Sequence, residues 1–288
     1  MSMMRVIDPS QYSISIMSAD ELATAVDWAK AEGWDPGLRD VLGFYKADTT
    51  GFLAGKYANQ MVATISAVKY GAGFGFIGLY IVRNEFRGRG LGFKLWEAAI
   101  ASLAGRNIGL DGVLAQQDNY KKSGFKLAHR NIRYSGRANK CTVSSKILPV
   151  MGVDMENLLQ YDSQFFPDER RAFISNWFAP ENTQTLVAVE GARIVGYGSI
   201  RESHQGFKIG PLNAENSEIA EALFMALSSV VSDRSEVFLD VPEPNASAIR
   251  LAEKFGMQPV FETARMYTKA FPDMPLEKIY GITSFELG

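Results

Sequence analysis

The stretch of residues 87–94 has the composition of a loop that binds an anionic group. Gly88, Gly90 and Gly92 alternate with other residues between an apolar stretch and an amphipathic one, and Arg87 and Arg89 lie among them. Glycine adopts positive φ angles and lets a ligand approach the backbone closely. Successive N–H groups at the start of a helix attract anions, and arginines add charge-assisted hydrogen bonds. We therefore expect this loop to bind a pyrophosphate.

Two common nucleotide-binding motifs do not match this loop. A Walker loop requires Lys and then Ser or Thr after its last glycine, whereas Phe93 separates Gly92 from Lys94. A dinucleotide fingerprint requires G-x-G-x-x-G, and Phe93 occupies the position of its third glycine. The pattern that does match is Arg-x-x-Gly-x-Gly, which is formed by Arg87, Gly90 and Gly92.

This pattern resembles the coenzyme-A signature of the GNAT family of acyl-CoA-dependent N-acyltransferases, and the resemblance covers nearly all of residues 12–135. It implies that acetyl-CoA is the co-substrate and that the apolar strand before the loop holds the pantetheine arm like an added strand. That strand must then diverge from its neighbour, and Gly78 is a candidate for the bulge that permits this, or else a plain packing glycine. The implied cofactor-binding residues are Tyr80, Ile81, Val82, Arg87, Gly88, Arg89, Gly90, Leu91, Gly92 and Phe93.

A second local match concerns the proton that the leaving thiolate needs. In many GNAT enzymes a tyrosine early in the fourth helix, ahead of Gly-Phe, is placed to supply it. Tyr120, followed by Gly124 and Phe125, fits this pattern and is the candidate general acid, with helix packing as its alternative role. The proton must move uphill by roughly 1.5 pKa units, because a tyrosine has a pKa near 10 and a thiol one near 8.5.

Two features that the resemblance implies are missing. Family members often carry an asparagine seven positions before this tyrosine, and Val113 occupies that position. The apolar strand at residues 74–82 contains no carboxylate that could act as the general base. Asp111 or Glu85 could serve as the base directly or through water, although such residues are more often solvated or structural. A CoA-binding sensor or scaffold with weak or lost catalysis is therefore the alternative function.

The predicted secondary structure follows the same order twice along the chain. In each half, helical segments precede a β-hairpin, an apolar strand, a helix and a final strand–helix–strand unit. Two short matches support a duplication, since LDGV at 110–113 resembles LDVP at 239–242 and SGF at 123–125 resembles FGM at 255–257. We therefore predict an α/β (α+β) fold of two tandem GNAT-like lobes, each with a mixed, mostly antiparallel central sheet flanked by helices.

The second half has lost the glycine loop. Residues 209–218 occupy the corresponding place without an Arg-x-x-Gly-x-Gly pattern, and Glu215 and Glu218 near the start of the helix would repel a phosphate. Asn245 matches a family asparagine, but Ala252 stands where the tyrosine belongs. The chain as a whole resembles tandem-GNAT proteins of the YitH type, in which an ordinary GNAT lobe precedes a divergent one.

Polar and turn residues cluster at Ser135–Val150, where we place the boundary between the two halves. This gives a GNAT acetyl-CoA-binding catalytic domain at 1–140 and a divergent GNAT-like domain at 141–288. Charge differs between the halves. Residues 1–147 carry 19 Lys and Arg against 12 Asp and Glu, a net charge of +7, whereas residues 148–288 carry 11 against 20, a net charge of −9. A basic cofactor lobe beside an acidic lobe that attracts a cationic amine is one interpretation, and drift of surface composition is the other.

Composition excludes several classes of protein. The 288 residues are 47% hydrophobic and 22% charged, which is typical of a globular protein and not of a disordered chain, a collagen or a disulfide scaffold. The lone cysteine, Cys141, cannot form an intramolecular disulfide, and no metal site is expected. No apolar stretch reaches the ~18 residues of a membrane helix, and no secretory signal is evident, so we expect a cytoplasmic protein without a membrane partner.

These observations favour an acetyltransferase over a nucleic-acid-binding protein, because no basic stripe interleaved with aromatic residues is present. The expected reaction is transfer of an acetyl group from acetyl-CoA to a primary amine by direct attack. The sequence leaves open whether the acceptor is a small molecule or a peptide, and it leaves open the oligomeric state.

Overall fold

The computed structural model describes residues 8–140, 144–179, 181 and 183–288. Cys141, the lone cysteine, lies outside the described residues. In the described parts of the chain, no helix is both long enough and apolar enough to span a membrane. The helices are α1 (Ala19–Ala31), α2 (Asp40–Ala47), α3 (Leu91–Ser102), α4 (Gln117–Lys122), α5 (Met155–Asp162), α6 (Arg171–Trp177), α7 (Ser217–Val230) and α8 (Ala246–Lys254).

Thirteen strands of the described residues form one continuous sheet. They are β1 (Tyr12–Ile16), β2 (Phe52–Tyr57), β3 (Gln60–Tyr70), β4 (Phe74–Val82), β5 (Asn107–Val113), β6 (Lys126–Arg137), β7 (Ile147–Pro149), β8 (Gln184–Glu190), β9 (Arg193–Glu202), β10 (Phe207–Ala214), β11 (Glu236–Pro242), β12 (Gln258–Tyr267) and β13 (Ile279–Gly281). The order across the sheet is β1-β2-β3-β4-β5-β12-β6-β11-β10-β9-β8-β7, and β13 pairs with β10 outside this path.

Each half of the chain contributes the same arrangement of strands. The pairs β4–β5 and β10–β11 are parallel, and the remaining pairs are antiparallel. The sheet is therefore mixed and mostly antiparallel, as predicted. Helix α3 packs over the first half, and α7 and α8 pack over the second, on separate apolar cores. The predicted α/β architecture of a mixed, mostly antiparallel sheet flanked by helices is confirmed.

The two halves exchange their last long strands. Strand β12, from the second half, pairs with β5 of the first half, and β6, from the first half, pairs with β11 of the second. The exchanged strands also pair with each other in the middle of the sheet. Each lobe is thus completed by a strand from the other half of the chain, which the predicted order of elements did not indicate.

Buried ion pairs join the exchanged strands to their neighbours. Arg265 on β12 contacts Asp111 on β5 at 2.6 Å, and Arg133 on β6 contacts Asp240 on β11 at 2.7 Å. All four side chains are almost entirely shielded from water. The two aspartates are those of the matching LDGV and LDVP sequences, so the duplication extends to an ion pair and its position in the sheet.

Local sequence explains where the helices begin and end. Ser18 caps α1 and forms a capping box with Glu21, which satisfies two N–H groups at the helix start. Pro167 lies between α5 and α6, where it interrupts the helical stretch. The helix that carries Tyr120 is α4, which begins at Gln117.

Candidate functional site

A cleft opens in the first lobe where β4 diverges from β5. The two strands pair only from Phe74 to Ile77 on β4, and no later residue of β4 is paired with β5 in the described structure. The register against β3 shifts just beyond Gly78, and Leu79 there has a φ of +47°. Thr64 holds this bulge with a 2.8 Å hydrogen bond from its Oγ1 to the carbonyl oxygen of Leu79. The bulge expected at Gly78 thus lies in the two residues that follow it.

Gly78 itself leaves room for another chain segment, which lies directly against it. A Cβ at Gly78 would overlap the carbonyl oxygen of Glu286. The segment 282–288 follows β13 and passes beneath the divergence, where the Tyr70 hydroxyl donates a 3.0 Å hydrogen bond to the carbonyl oxygen of Leu287. Residues far apart in sequence therefore form the inner end of the cleft.

The glycine loop lies at the outer end of the cleft and leads into α3. Gly88 and Gly90 have φ angles of +72° and +78°, in the left-handed region that favours glycine. Gly90 is the N-cap of α3, and no side chain caps this helix. The first N–H groups of α3 therefore point toward the cleft mouth without a side-chain acceptor, which is the arrangement that attracts an anion.

The first arginine of the signature already has partners within the chain. The Arg87 guanidinium donates a 2.7 Å hydrogen bond to the carbonyl oxygen of Val82 and a 2.5 Å bond to Glu32. It therefore ties the loop to the end of β4 and to the residue after α1. Both Arg87 and Arg89 line the cleft.

The cleft has a volume of about 1210 Å³, which is large enough for an extended cofactor. All ten predicted cofactor-binding residues except Leu91 line it, together with Tyr120 and Asp111. Leu91 is buried at the start of α3, and its carbonyl oxygen accepts a 2.9 Å hydrogen bond from Tyr12. Several lining residues lie outside the signature and were not predicted, namely Glu32, Phe261, Thr263, Phe285 and Glu286.

Tyr120 faces the cleft from α4 and belongs to an aromatic cluster. Its ring lies 5.6 Å from that of Trp96 on α3, and the Trp96 ring lies 5.4 Å from that of Tyr80 on β4. Burial, with a smaller contribution from Tyr80, raises the pKa of Tyr120 to about 12. The phenol is therefore protonated at neutral pH and is positioned between the diverging strand and the loop helix.

The two carboxylates considered as general bases lie in different surroundings. Both Asp111 oxygens accept hydrogen bonds from Arg265, at 2.9 and 2.6 Å, and Asn131 donates to one of them at 2.8 Å. Glu85 is exposed, is paired with Arg83 at 2.5 Å and does not line the cleft. Neither carboxylate is therefore available to an amine without loss of an existing ion pair.

In the second lobe, the parallel strands also diverge at the corresponding position, but a peptide strand fills the gap between them. Strands β10 and β11 pair only from Phe207 to Ile209, and β13 then pairs with β10 at Leu212 and Asn213. On its other side, the N–H of Ile282 donates a 2.9 Å hydrogen bond to the carbonyl oxygen of Asp240 on β11. A peptide strand thus occupies the position that corresponds to the open cleft of the first lobe.

Side chains of the second lobe secure this filling strand. Asn245, which matches the family asparagine, donates from Nδ2 to the carbonyl oxygens of Glu277 and Ile279 at 3.1 and 2.9 Å. At the start of α7, Asn216 accepts a 3.0 Å hydrogen bond from the N–H of Ile219, so that helix start is capped by its own side chain. Glu215, as a neighbouring carboxylate, is paired with Lys278 at 2.9 Å. Among the described residues, the start of α7 is therefore satisfied within the chain, unlike that of α3.

Within residues 8–140, 144–179, 181 and 183–288, no group of three or more His, Cys, Asp or Glu side chains is arranged to hold a metal ion.

Comparison with known families agrees with this geometry. The first lobe matches the model of the Acetyltransferase (GNAT) family over residues 17–125, and the second matches that of an Acetyltransferase (GNAT) domain over residues 158–281. The predicted boundary at residue 140 falls between the two matches.

Individual relatives extend the likeness over the whole chain. The chain is 31% identical over 272 residues to a holothin acyltransferase from Pseudoalteromonas sp. (strain SANK 73390), covering 94% of this chain and 92% of that protein. In fold, it is similar to a protein from Pyrococcus horikoshii that is provisionally named as an acetyltransferase, with a TM-score of 0.83, 20% identity and coverage of 99% and 98% of the two chains.

A tandem GNAT protein from the clavulanic acid biosynthesis pathway is also similar in fold, with a TM-score of 0.61, 14% identity and coverage of 91% and 99% of the two chains. An open cleft in one lobe beside a filled lobe of the same fold is consistent with these matches. The chain belongs to the GNAT family and is a tandem-GNAT N-acyltransferase.

Proposed function

We propose that the protein transfers an acetyl group from acetyl-CoA to a primary amine by direct attack, and that only the first lobe binds acetyl-CoA. The observation that carries this proposal is the contrast between the two divergences. The first lobe leaves the edge of β4 beyond Ile77 unpaired by β5, in front of the start of α3, which no side chain caps. In the second lobe, β13 pairs with the corresponding edge of β10.

The residues of the first lobe fit acetyl-CoA. Strand β13 demonstrates that amide groups of a peptide can be hydrogen-bonded to a diverging strand of this fold, and the pantetheine arm also carries amide groups. The backbone of Tyr80, Ile81 and Val82 would hold that arm. The N–H groups that follow Gly90, with the side chain of Arg89, would hold the pyrophosphate.

Bound acetyl-CoA would supply the thioester that the amine attacks. The chain would orient that group by placing it between the bulge at Leu79 and the Tyr120 hydroxyl. The bulge is held rigidly by Thr64, so the backbone there is already arranged before any ligand binds. The apolar walls of the cleft, such as Trp96 and Val113, would exclude water from the reacting atoms.

Tyr120 would stabilise the leaving sulfur by donating a hydrogen bond as negative charge develops. With a pKa of about 12, complete transfer of its proton to a thiolate, whose thiol has a pKa near 8.5, is uphill by roughly 3.5 pKa units or ~5 kcal/mol. The phenol therefore acts best as a hydrogen-bond donor in the transition state, with the proton completing its transfer as the bond to sulfur breaks.

The acceptor is proposed to be an amine because that is the acceptor class on which GNAT N-acyltransferases act. The relative at 31% identity is named for acyl transfer to holothin, so holothin belongs in any panel of acceptors. The panel should also contain simple alkyl and aryl amines, amino acids and lysine peptides.

Two measurements test the proposal. Calorimetry with desulfo-CoA should give one site per chain, and a screen of the amine panel should detect release of CoA with at least one acceptor. Two sites per chain, or no binding, would refute the one-lobe model. Release of CoA that does not depend on an added amine would refute amine transfer.

Replacing Tyr120 with Phe tests the role of the phenol. We expect kcat to fall about 10- to 100-fold while the dissociation constant for desulfo-CoA changes little, because the ring still packs on Trp96. Trp96 is not altered in this variant, so a weakened affinity for desulfo-CoA would instead indicate a structural role for the hydroxyl. Unchanged kcat would remove Tyr120 from the mechanism.

A further inference from the structure

The cleft of the first lobe passes through the sheet and is lined on both of its faces. All residues of β4 from Ile77 to Val82 line it, and successive side chains of a strand point to opposite faces. Tyr80 and Val82 pack against the apolar core under α3, whereas Leu79 and Ile81 belong to the core on the side of α1. The glycine loop, α3 and α4 would hold the cofactor, so an acceptor would approach the thioester from the face opposite to α3.

Three aromatic residues from separate segments, which we call the aromatic wall, line the cleft on the face opposite to α3. They are Trp34 after α1, Phe261 on β12 and Phe285 after β13. Phe261 lies three residues before Ala264, whose side chain belongs to the core under α3, so the two point to opposite faces. Trp34 and Phe261 are half-buried, and the Phe261 and Phe285 rings lie 5.9 Å apart. Rings of this kind favour contact with another flat ring.

A buried arginine fixes the aromatic wall to the second lobe. The Arg133 guanidinium lies 4.7 Å from the centre of the Phe285 ring and 5.9 Å from that of Phe261. It also donates a 2.8 Å hydrogen bond to the carbonyl oxygen of Trp34 and forms the ion pair with Asp240 on β11. The wall is therefore arranged before an acceptor binds, which lowers the cost of binding.

The residue after Trp34 is also held by the second half of the chain. The Asp35 carboxylate accepts hydrogen bonds from the Ser203 hydroxyl at 2.7 Å and from the N–H of His204 at 3.1 Å. The carbonyl oxygen of Asp35 accepts a 3.0 Å hydrogen bond from Lys208. The second half therefore supplies two residues of the aromatic wall and holds the third in place.

Within the part of the chain that the structure describes, this face offers no carboxylate that is free to accept a proton. Glu32 is paired with Arg87, and Asp111 is paired with Arg265. The carboxylate oxygens of Glu286 are buried, and its contact with the bulge is made by its carbonyl group. The other charged or titratable side chains that line the cleft lie on β4, the glycine loop, α3 and α4, namely Tyr80, Arg89, Glu97, Tyr120 and Lys122.

Such a cleft suits an amine that is neutral before it binds. An alkyl amine with a pKa near the 10.4 of a lysine side chain is neutral in only about one molecule in 2,500 at pH 7, so it must lose a proton before it attacks. In an aryl amine, the nitrogen lone pair is delocalised into the ring, which leaves the amine unprotonated at neutral pH. The ring is also flat and apolar, and so matches the aromatic wall.

We propose that the acceptor is an aryl or heteroaryl amine, that its ring lies against Trp34, Phe261 and Phe285, and that no carboxylate of the protein deprotonates it. The inference rests on the proposed function, whose acceptor it specifies. As the nitrogen attacks the thioester carbon, a C–N bond forms and the C–S bond breaks. The sulfur receives a proton from Tyr120. The acylated nitrogen, which is positively charged and acidic, releases one proton to water, and Tyr120 recovers one from water.

Two neutral amides that differ only in their ring test the aromatic wall. Acetanilide carries a flat ring and N-cyclohexylacetamide a saturated one. In calorimetry, with and without desulfo-CoA, the unmodified protein should bind acetanilide about five- to tenfold more tightly than the saturated amide. Phe261→Leu should reduce this preference below about twofold while it binds desulfo-CoA normally. Phe271→Leu is the matched control, because Phe271 is exposed and does not line the cleft, and it should keep the preference.

Kinetics with free amines test whether a base is needed. At pH 7, kcat/KM for aniline should exceed that for cyclohexylamine at least about 100-fold, because little cyclohexylamine is neutral. Between about pH 6 and pH 8, kcat/KM for aniline should stay constant, whereas that for cyclohexylamine should rise about tenfold per pH unit. An acidic limb with aniline that Glu32→Gln or Asp111→Asn abolishes would show that a carboxylate acts as the base and would refute the inference.

The possible results separate the two proposals. If the unmodified protein has no preference for acetanilide, or if Phe261→Leu keeps it, the inference is wrong, while one-lobe binding of desulfo-CoA can still hold. If cyclohexylamine is acetylated faster than aniline at pH 7, amine transfer holds but the acceptor class is wrong. If the unmodified protein does not bind desulfo-CoA, the proposed function fails, yet the two amides still decide the role of the aromatic wall. If Phe261→Leu does not fold, Trp34→Leu should lose the preference instead, and an unchanged preference there would overturn the inference.

Discussion

The two lobes share a divergence between parallel strands and differ in what lies within it. In the first lobe, β4 beyond Ile77 faces a cleft of about 1210 Å³, whereas in the second lobe β13 lies on β10 and bonds to β11 through Ile282. In the second lobe, β10 and β11 remain apart beyond Ile209. A peptide segment fills this gap and satisfies the backbone groups that would otherwise be unpaired.

The N-termini of the two corresponding helices, α3 and α7, also differ in whether the chain itself satisfies them. Gly90 leaves the first N–H groups of α3 without a side-chain cap, while Asn216 caps α7 and Glu215 adds a negative charge beside it. One helix start is suited to an external anion, and the other is satisfied internally. The two lobes therefore keep the same architecture, while the start of α3 has no side-chain cap and the start of α7 is capped within the chain.

The largest expected loss of stability comes from breaking the buried ion pair that the two lobes have in common. Replacing Arg265 or Arg133 with Met would leave Asp111 or Asp240 as a buried carboxylate without its ion pair, and each should lower the free energy of unfolding by about 3–5 kcal/mol. Denaturation in urea would measure both. If only one variant is destabilised, the two ion pairs are not equivalent.

A matched control for these variants is available on the surface. Arg193 contacts Glu190 at 3.2 Å with both side chains largely exposed, so Arg193→Met should change the free energy of unfolding by less than about 1 kcal/mol. An equally large loss at Arg193 would mean that burial does not determine the cost.

An intermediate effect is expected from making the first lobe resemble the second. In Gly90→Asp, a carboxylate would cap α3 from within and repel a pyrophosphate, so the affinity for desulfo-CoA should fall about 10- to 100-fold. Gly90→Asn is the matched control. It places a side chain of the same shape at the same positive φ of +78° but adds no charge. Calorimetry should find Gly90→Asn much closer to the unmodified protein. Equal losses in both variants would attribute the effect to backbone strain.

The smallest effect concerns stability and pH at Glu286. Burial raises the pKa of Glu286 in the folded protein above its value in the unfolded chain. The neutral carboxyl therefore contributes fully to stability at pH values below the pKa of the unfolded chain. This contribution is lost as the pH rises through the pKa of the folded protein. Glu286→Gln should therefore raise Tm near pH 8, by about 2–4 °C for each kcal/mol relieved, and the gain should shrink toward pH 4. Melting curves that shift equally at all pH values would contradict this account.

The sequence indicated the parts of the site that depend on local backbone. The loop at residues 87–94 and the helix that carries Tyr120 are encoded by glycine spacing and short-range patterns, and both lie where the motif predicts. The divergence after Ile77 was also implied by the resemblance. What these elements share is that neighbours along the chain determine their conformation.

The remainder depends on contacts between distant residues. Asp111 and Asp240 were noted as a repeated pattern, but their arginine partners become apparent only once β12 and β6 are exchanged. The final strands of two similar lobes offer similar pairing edges, so alternation of apolar residues does not distinguish exchange from separate lobes. Strand β13 has only three residues, and Glu286 is a single carboxylate in an apolar segment, so neither produces a periodic signal.

The exchange of β6 and β12 also bears on how the protein is made. Gln258, the first residue of β12, leaves the ribosome long after the rest of the first lobe has been synthesised. The first lobe therefore lacks its sixth strand while much of the second lobe is still being synthesised. During this interval the edge of β5 has no partner and is open to association with other nascent chains. The acyl-transfer centre would consequently assemble only near the end of translation.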